Sequence, residues 1–225
     1  MLNKLKIASA LALTITIAGC GSKPASTNTT STDTTKIATS ASTKSILVFG
    51  DSLTAGYGLD DPSEAYPSVL QTKIDSAKLP YTIINGGLSG ETSAGGKGRI
   101  DWILKQHIDV FVLELGANDG LRGIPVTETK KNLQTIIDRV KAKYPKAKLV
   151  MLGMQVPPNM GATYVKDFKE MFPKLATKNN MALVPFLLQG VGGVRSLNQK
   201  DGIHPTAAGA KILANNVWEV MKGVL

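Results

Sequence analysis

Five short apolar runs organise the chain, at residues 45–50, 81–85, 109–115, 147–154 and 182–186. Most are continuous rather than alternating, which is the pattern of strands covered on both faces. Between them lie segments with apolar residues at helical spacing. Tyr66, Val69, Leu70 and Ile74 share one helix face, and Leu133, Ile136, Ile137 and Val140 share another. Ile212, Leu213, Val217, Val220 and Met221 mark a final helix. Alternating strand and helix predicts an α/β fold built on a parallel sheet. Right-handed crossovers then put helices on both faces, as a three-layer α/β/α sandwich. The 43% hydrophobic content is enough for a core and excludes a wholly disordered chain. No apolar run reaches the ~18–20 residues that a membrane-spanning helix needs.

The first 44 residues read differently. Lys4 and Lys6 open the chain, a mostly apolar run follows over residues 7–19, and it ends in Ile17-Ala18-Gly19-Cys20. This is the layout of a secretory signal. The small residues before Cys20 resemble the lipobox of bacterial lipoproteins, in which the thiol receives a diacylglycerol and becomes the new N-terminus. The chain's single cysteine stands at the one position that motif requires, so an internal disulfide framework is excluded. Of residues 22–44, 13 of 23 are Ser or Thr, a composition that predicts a disordered tether. Such a coil of about 24 residues has an r.m.s. reach of roughly 25–30 Å. The expected organisation is therefore a signal peptide over 1–19, a lipidated Cys20 with its tether over 20–44, and a folded domain over 45–225. The expected location is an exported bacterial lipoprotein held at a membrane surface. Gly21, rather than Asp, after the cysteine resembles outer-membrane sorting, so in a Gram-negative host a periplasmic or outer-membrane place is expected.

The net charge of +9 invites a nucleic-acid reading. Lys4 and Lys6 carry two of those charges, and Lys23, Lys36 and Lys44 against Asp33 carry two more, leaving +5 on residues 45–225. Those lysines are scattered and no nucleic-acid-binding motif accompanies them, so a solvated basic surface attracted to anionic lipid is the better reading. With two histidines and one cysteine, a Cys- or His-rich metal centre is not expected.

In parallel sheets, ligands sit beyond the carboxyl ends of the strands. The residues with chemical potential follow strands here. Gly50-Asp51-Ser52-Leu53 follows the first, Gly86-Gly87-Leu88-Ser89-Gly90 the second, and Gly116-Ala117-Asn118-Asp119 the third. Asp201-Gly202-Ile203-His204-Pro205 lies in the segment after the fifth. A serine nucleophile needs a base, and the base needs an orienting partner. His204 supplies an imidazole, and Asp201 is three residues before it, within reach if the segment curls. An acyl oxyanion needs preorganised donors, which the Ser52 backbone N–H, the Gly90 N–H and the Asn118 side chain can provide. Each residue also has a plain structural use: Ser52 as a helix N-cap, Gly90 in a tight turn, Asn118 and Asp119 as loop formers, Asp201-Gly202 as a turn. Their joint occurrence on one sheet rim favours the catalytic reading. Asp51 is expected to support the turn, Asp119 and Arg122 to shape the site, and His107 to lie at the surface. The G-x-S-x-G elbow, the P-loop and the G-x-G-x-x-G fingerprint are absent from these turns.

Phe49-Gly50-Asp51-Ser52-Leu53-Thr54-Ala55-Gly56 resembles the first signature block of the GDSL/SGNH hydrolase family. Gly90, Asn118 and Asp201-x-x-His204 resemble its other three blocks, in the family's order. Ser89-Gly90-Glu91-Thr92-Ser93, residues 115–123 and residues 201–205 further resemble the branch of multifunctional bacterial thioesterase/arylesterase/lysophospholipase enzymes. The resemblance implies a flavodoxin-like sandwich of five parallel strands and a hydrolase without cofactor or metal. It implies Ser52 as nucleophile and His204 as general base and acid, oriented by Asp201. The oxyanion donors it implies are Ser52, Gly90 and Asn118. The implied substrates are acyl esters, thioesters or lysophospholipids. Two other functions use the same fold: a carbohydrate or peptidoglycan O-acetyl esterase, and a non-catalytic lipid- or glycan-binding lipoprotein. The apolar stretches 154–161 and 187–197 are expected to shape an acyl pocket, and the chain is expected to act as a monomer.

Overall fold

The computed structural model describes residues 43–225. The signal segment, Cys20 and the tether up to residue 42 lie outside the described residues. Five strands form one sheet: β1 (Lys44–Gly50), β2 (Tyr81–Gly87), β3 (Val110–Glu114), β4 (Lys148–Leu152) and β5 (Ala182–Val184). Their order is β2-β1-β3-β4-β5, and every pairing is parallel. β1 runs through the middle of its neighbours, with Ile46 opposite Ile83 on one side and Val110 on the other. Ile46, Leu47, Val48 and Phe49 have no solvent exposure, so both faces of this strand are core, as its unbroken apolar run requires.

The helices are α1 (Ser52–Ala55), α2 (Tyr66–Ser76), α3 (Ser93–Ile103), α4 (Ala117–Leu121), α5 (Val126–Lys143), α6 (Ala162–Asn179) and α7 (Ala207–Met221). α2 packs on α7, while α3 packs on α5 and α5 on α6. The two groups cover opposite faces, the outcome of right-handed crossovers leaving β1 in both directions. Leu133, Ile136, Ile137 and Val140 of α5 are all fully buried, as their spacing predicts. Each such aliphatic side chain contributes about 1.5–3 kcal/mol of burial.

Strand boundaries shift where side-chain hydrophobicity and backbone pairing part company. β1 starts at Lys44, one residue inside the expected tether, because Lys44 pairs with Tyr81. β2 continues through Gly86 and Gly87, which pair with Phe49 and Gly50 despite having no apolar side chains. β5 stops at Val184, whose carbonyl accepts the Gly153 N–H, two residues short of the end of the apolar run.

Candidate active site

The turn after β1 is built around a collision. A Cβ on Gly50 would lie 2.1 Å from Thr54 Oγ1 and 2.3 Å from Glu114 Oε2, so only glycine lets the strand pass this point. Asp51 then caps α1 by accepting the Leu53 N–H at 3.1 Å. Because Asp51 takes the cap, the Ser52 hydroxyl is free of that duty, and the N-cap reading of Ser52 falls away. Ser52 becomes the first residue of a single helical turn, closed by Gly56 at φ 76°.

His204 arrives from the loop between β5 and α7. Its Nε2 lies 2.9 Å from Ser52 Oγ, across 152 residues of chain. Its Nδ1 lies 2.7 Å from Asp201 Oδ2. A carboxylate only accepts, so Nδ1 carries the hydrogen and Nε2 presents a lone pair to the serine hydroxyl. The curl expected of Asp201-x-x-His204 is present: Asp201 Oδ1 accepts the backbone N–H groups of Ile203 at 3.0 Å and His204 at 3.1 Å. The hydrogen bond from the His204 ring, then these two N–H groups, hold the Asp201 carboxyl down at about 2. The Tyr57 ring leans over the imidazole, with centroids 4.7 Å apart.

Behind Ser52 the polar groups are buried. Glu114, at the end of β3, has no solvent exposure. Its Oε2 accepts the Asp51 N–H at 3.1 Å and the Thr54 hydroxyl at 2.8 Å, and Thr54 Oγ1 lies 2.9 Å from the Tyr66 hydroxyl. Glu114 Oε1 meets no hydrogen-bond partner among the described residues. Burial, then the neighbouring Asp51 charge, pushes the Glu114 carboxyl well above the usual carboxylate range. Burial raises Asp51 as well, to about 6, against the opposing pull of the Leu53 N–H and the Asn118 amide. Glu114 thus lies buried beneath the Ser52 turn, with its charged form disfavoured. Sequence reading missed it, although a lone acid closing the run Val-Phe-Val-Leu-Glu was a visible signal.

Two further loops close the site. Gly90, at φ 78°, has open space where a side chain would be, so its backbone is accessible from the cavity. Its carbonyl accepts from Arg122 Nη2 at 3.1 Å. The next residue, Glu91, is held by the Arg99 guanidinium, which also donates to the Gly86 carbonyl and lies 4.3 Å over the Phe49 ring. Asn118 Nδ2 donates to Asp51 Oδ2 and to the Glu91 carbonyl, both at 3.1 Å, and so ties the three loops together. Asp119, fully buried, accepts from the Ser93 N–H and hydroxyl. It thereby fixes the start of α3, while Arg122 holds the Gly90 carbonyl. His107 is exposed beside Asp109, at the opposite edge of the sheet from Ser52.

Ser52, Gly90, Asn118, Asp201 and His204 all line one cavity of about 810 Å³. Its far wall is apolar, with Met154, Val156, Pro157 and Pro158 from one expected loop and Leu188 from the other. Gly192 and Gly193 also line it, whereas Val194 and Arg195 fall outside the lining.

A family model described as GDSL-like lipase/acylhydrolase matches residues 48–212. The chain is 39% identical to esterase TesA of Pseudomonas aeruginosa over 82% of its own length and 91% of that protein. It is 39% identical to an arylesterase of Vibrio mimicus over 75% of its length and 83% of that protein. It is 36% identical to the thioesterase 1/protease 1/lysophospholipase L1 of Escherichia coli, over 78% of its length and 82% of that protein. A crystal structure of TesA superposes with a TM-score of 0.77 at 39% identity, covering 81% of this chain and all of that one. With its five parallel strands, four ordered motifs and this match over most of the folded domain, the chain belongs to the GDSL-like lipase/acylhydrolase family.

Proposed function

We propose that this protein is a serine esterase that hydrolyses acyl esters and thioesters through an acyl-enzyme on Ser52. The observation that carries this reading is the unbroken line from Ser52 Oγ through His204 to Asp201 at the mouth of an apolar cavity. Ser52 Oγ attacks the carbonyl carbon while its proton passes to His204 Nε2, and Asp201 stabilises the imidazolium that forms. The oxyanion is received by the backbone N–H of Ser52, the N–H of Gly90 and Asn118 Nδ2. Both Asn118 hydrogens have acceptors in the free site, so an arriving oxyanion competes with the Glu91 carbonyl for one of them. The tetrahedral adduct collapses, His204 gives its proton to the departing alkoxide or thiolate, and the acyl group stays on Ser52. Water, deprotonated by His204, then releases the acid and restores the serine.

The names of the relatives support ester, thioester and lysophospholipid substrates for this chain. An acetyl group would leave most of a cavity of about 810 Å³ unfilled, which favours longer acyl groups over the O-acetyl esterase reading. The intact proton path favours catalysis over a purely binding role. The lipobox-like Ile17-Ala18-Gly19-Cys20 supports export and attachment to a membrane through Cys20.

Ser52→Ala is expected to abolish p-nitrophenyl ester turnover, and a fluorophosphonate probe should label the wild type alone. Equal turnover or equal labelling of the two proteins would refute the mechanism.

A further inference from the structure

Among the described residues, six large apolar side chains stand out in solvent: Tyr57, Leu88, Trp102, Leu121, Val194 and Ile203. Isolated exposed apolar residues need no explanation. Five of these six, however, gather at one place. Tyr57, Leu121 and Ile203 line the active-site cavity, 54%, 47% and 46% exposed. Leu88 adjoins the lining residue Ser89, and Val194 adjoins Gly193. They arise from four separate segments, three loops after β1, β2 and β5 and the end of α4 after β3, so no local sequence bias produces the cluster. Three exposed cations follow the same segments: Arg122 next to Leu121, Arg195 next to Val194, and Lys200 three residues before Ile203. The acids nearest along the chain are Asp201, engaged by His204, Asp119, buried against Ser93, Glu91, buried and held by Arg99, and Asp60 with Asp61, the latter accepting the Ser63 N–H.

We propose that this apolar ring and its basic residues dock the pocket mouth onto the surface of an anionic lipid aggregate. The proposal rests on the acyl-ester reading above and names the surface from which the acyl chain is drawn. The ring is continuous with the apolar wall of the pocket, so a chain leaving a bilayer or micelle passes from one apolar surface to the next without crossing water. Arg122, Arg195 and Lys200 complement anionic headgroups. In an isologous pair of this chain the same cations would face their own copies, which disfavours a second molecule as the occupant.

The test uses residues 21–225, which lack both the apolar segment 7–19 and Cys20, so that no membrane anchor contributes, with and without Val194→Ser/Arg195→Glu. Neither Val194 nor Arg195 lines the cavity. The parent should sediment with phosphatidylglycerol vesicles more than with phosphatidylcholine vesicles, and 0.5 M salt should release it. The double variant should partition about tenfold less onto anionic vesicles, with turnover of soluble p-nitrophenyl butyrate and the melting temperature unchanged. Equal sedimentation of parent and variant would overturn the proposal. So would a preference for neutral vesicles, or a concentration-dependent dimer that the same variant dissolves. Vesicle binding by a parent that hydrolyses no ester would instead strike the esterase reading and leave the docking surface standing.

Discussion

The fold treats the carboxyl groups on the two sides of Ser52 in opposite ways. In front, Asp201 is partly exposed, accepts from the His204 ring and two backbone N–H groups, and is held down at about 2. Behind, Glu114 and Asp51 are shut away from water, and burial raises both. The same chemical group thus has its charged form favoured in front, where hydrogen-bond donors surround it, and disfavoured behind, where it is buried. Burial raises the rear pair, whereas hydrogen bonds from the near neighbours His204 and Ile203 lower Asp201. The front holds the imidazole; the back braces the turn that carries Ser52 and, through Asp51, the Asn118 amide.

The sharpest break between the two regions should come from amide substitutions. Asp201→Asn removes the anion facing Nδ1 and should lower kcat by about 10³–10⁴-fold while leaving the melting temperature nearly unchanged. If activity survives, the front carboxylate is dispensable and the contrast fails. Behind Ser52 the effect should fall on stability instead. Glu114→Ala deprives the Asp51 N–H and the Thr54 hydroxyl of their acceptor and leaves a cavity, and should cost about 2–4 kcal/mol in urea denaturation. Glu114→Gln keeps the volume and an acceptor oxygen, and should cost about 1 kcal/mol. Equal losses in the two variants would show that the acceptor is irrelevant.

The mildest effect is a slope. A carboxyl whose pKa rises on folding favours the folded state below its unfolded value, near about 4, and that contribution is lost as pH rises through the folded value. Asp51 and Glu114 should therefore make stability decline as pH climbs from about 4 through about 6 and beyond. Asp201 works in the other direction, with a contribution present above about 4 and lost as pH falls through about 2, and its exposure keeps it small. Thermal melts from pH 4 to 8 should show a flatter profile for Glu114→Gln than for the wild type. Parallel profiles would remove Glu114 from the pair.

The same front-to-back contrast explains what the sequence disclosed. Asp201 and His204 are three residues apart, so their contact follows from one turn and could be read from the chain. The four signature motifs each follow a strand, so the sheet rule alone predicts their convergence. Glu114, Thr54 and Tyr66 meet only through tertiary packing, and nothing local in the chain announces that a β3 acid reaches under the β1 turn. Helix α3 was similarly hidden. Its Gly95, Gly96 and Gly98 lower helix propensity, yet a Cβ on Gly96 would lie 2.4 Å from Leu115 Cδ1, so close packing on the sheet requires glycine where propensity opposes it. β5 was overextended for a complementary reason: the apolar run continues past Pro185, but the ladder ends before it.

The direction of β1 has a practical outcome. The strand enters the domain at the amino edge of the sheet and delivers Ser52 at the carboxyl edge, about 20 Å away at about 3.3 Å per residue. A rigid support bonded directly at Lys44, with no flexible linker between, would therefore hold the domain by the sheet edge opposite Ser52. A long flexible leash imposes no such orientation and leaves the pocket mouth free to turn either way.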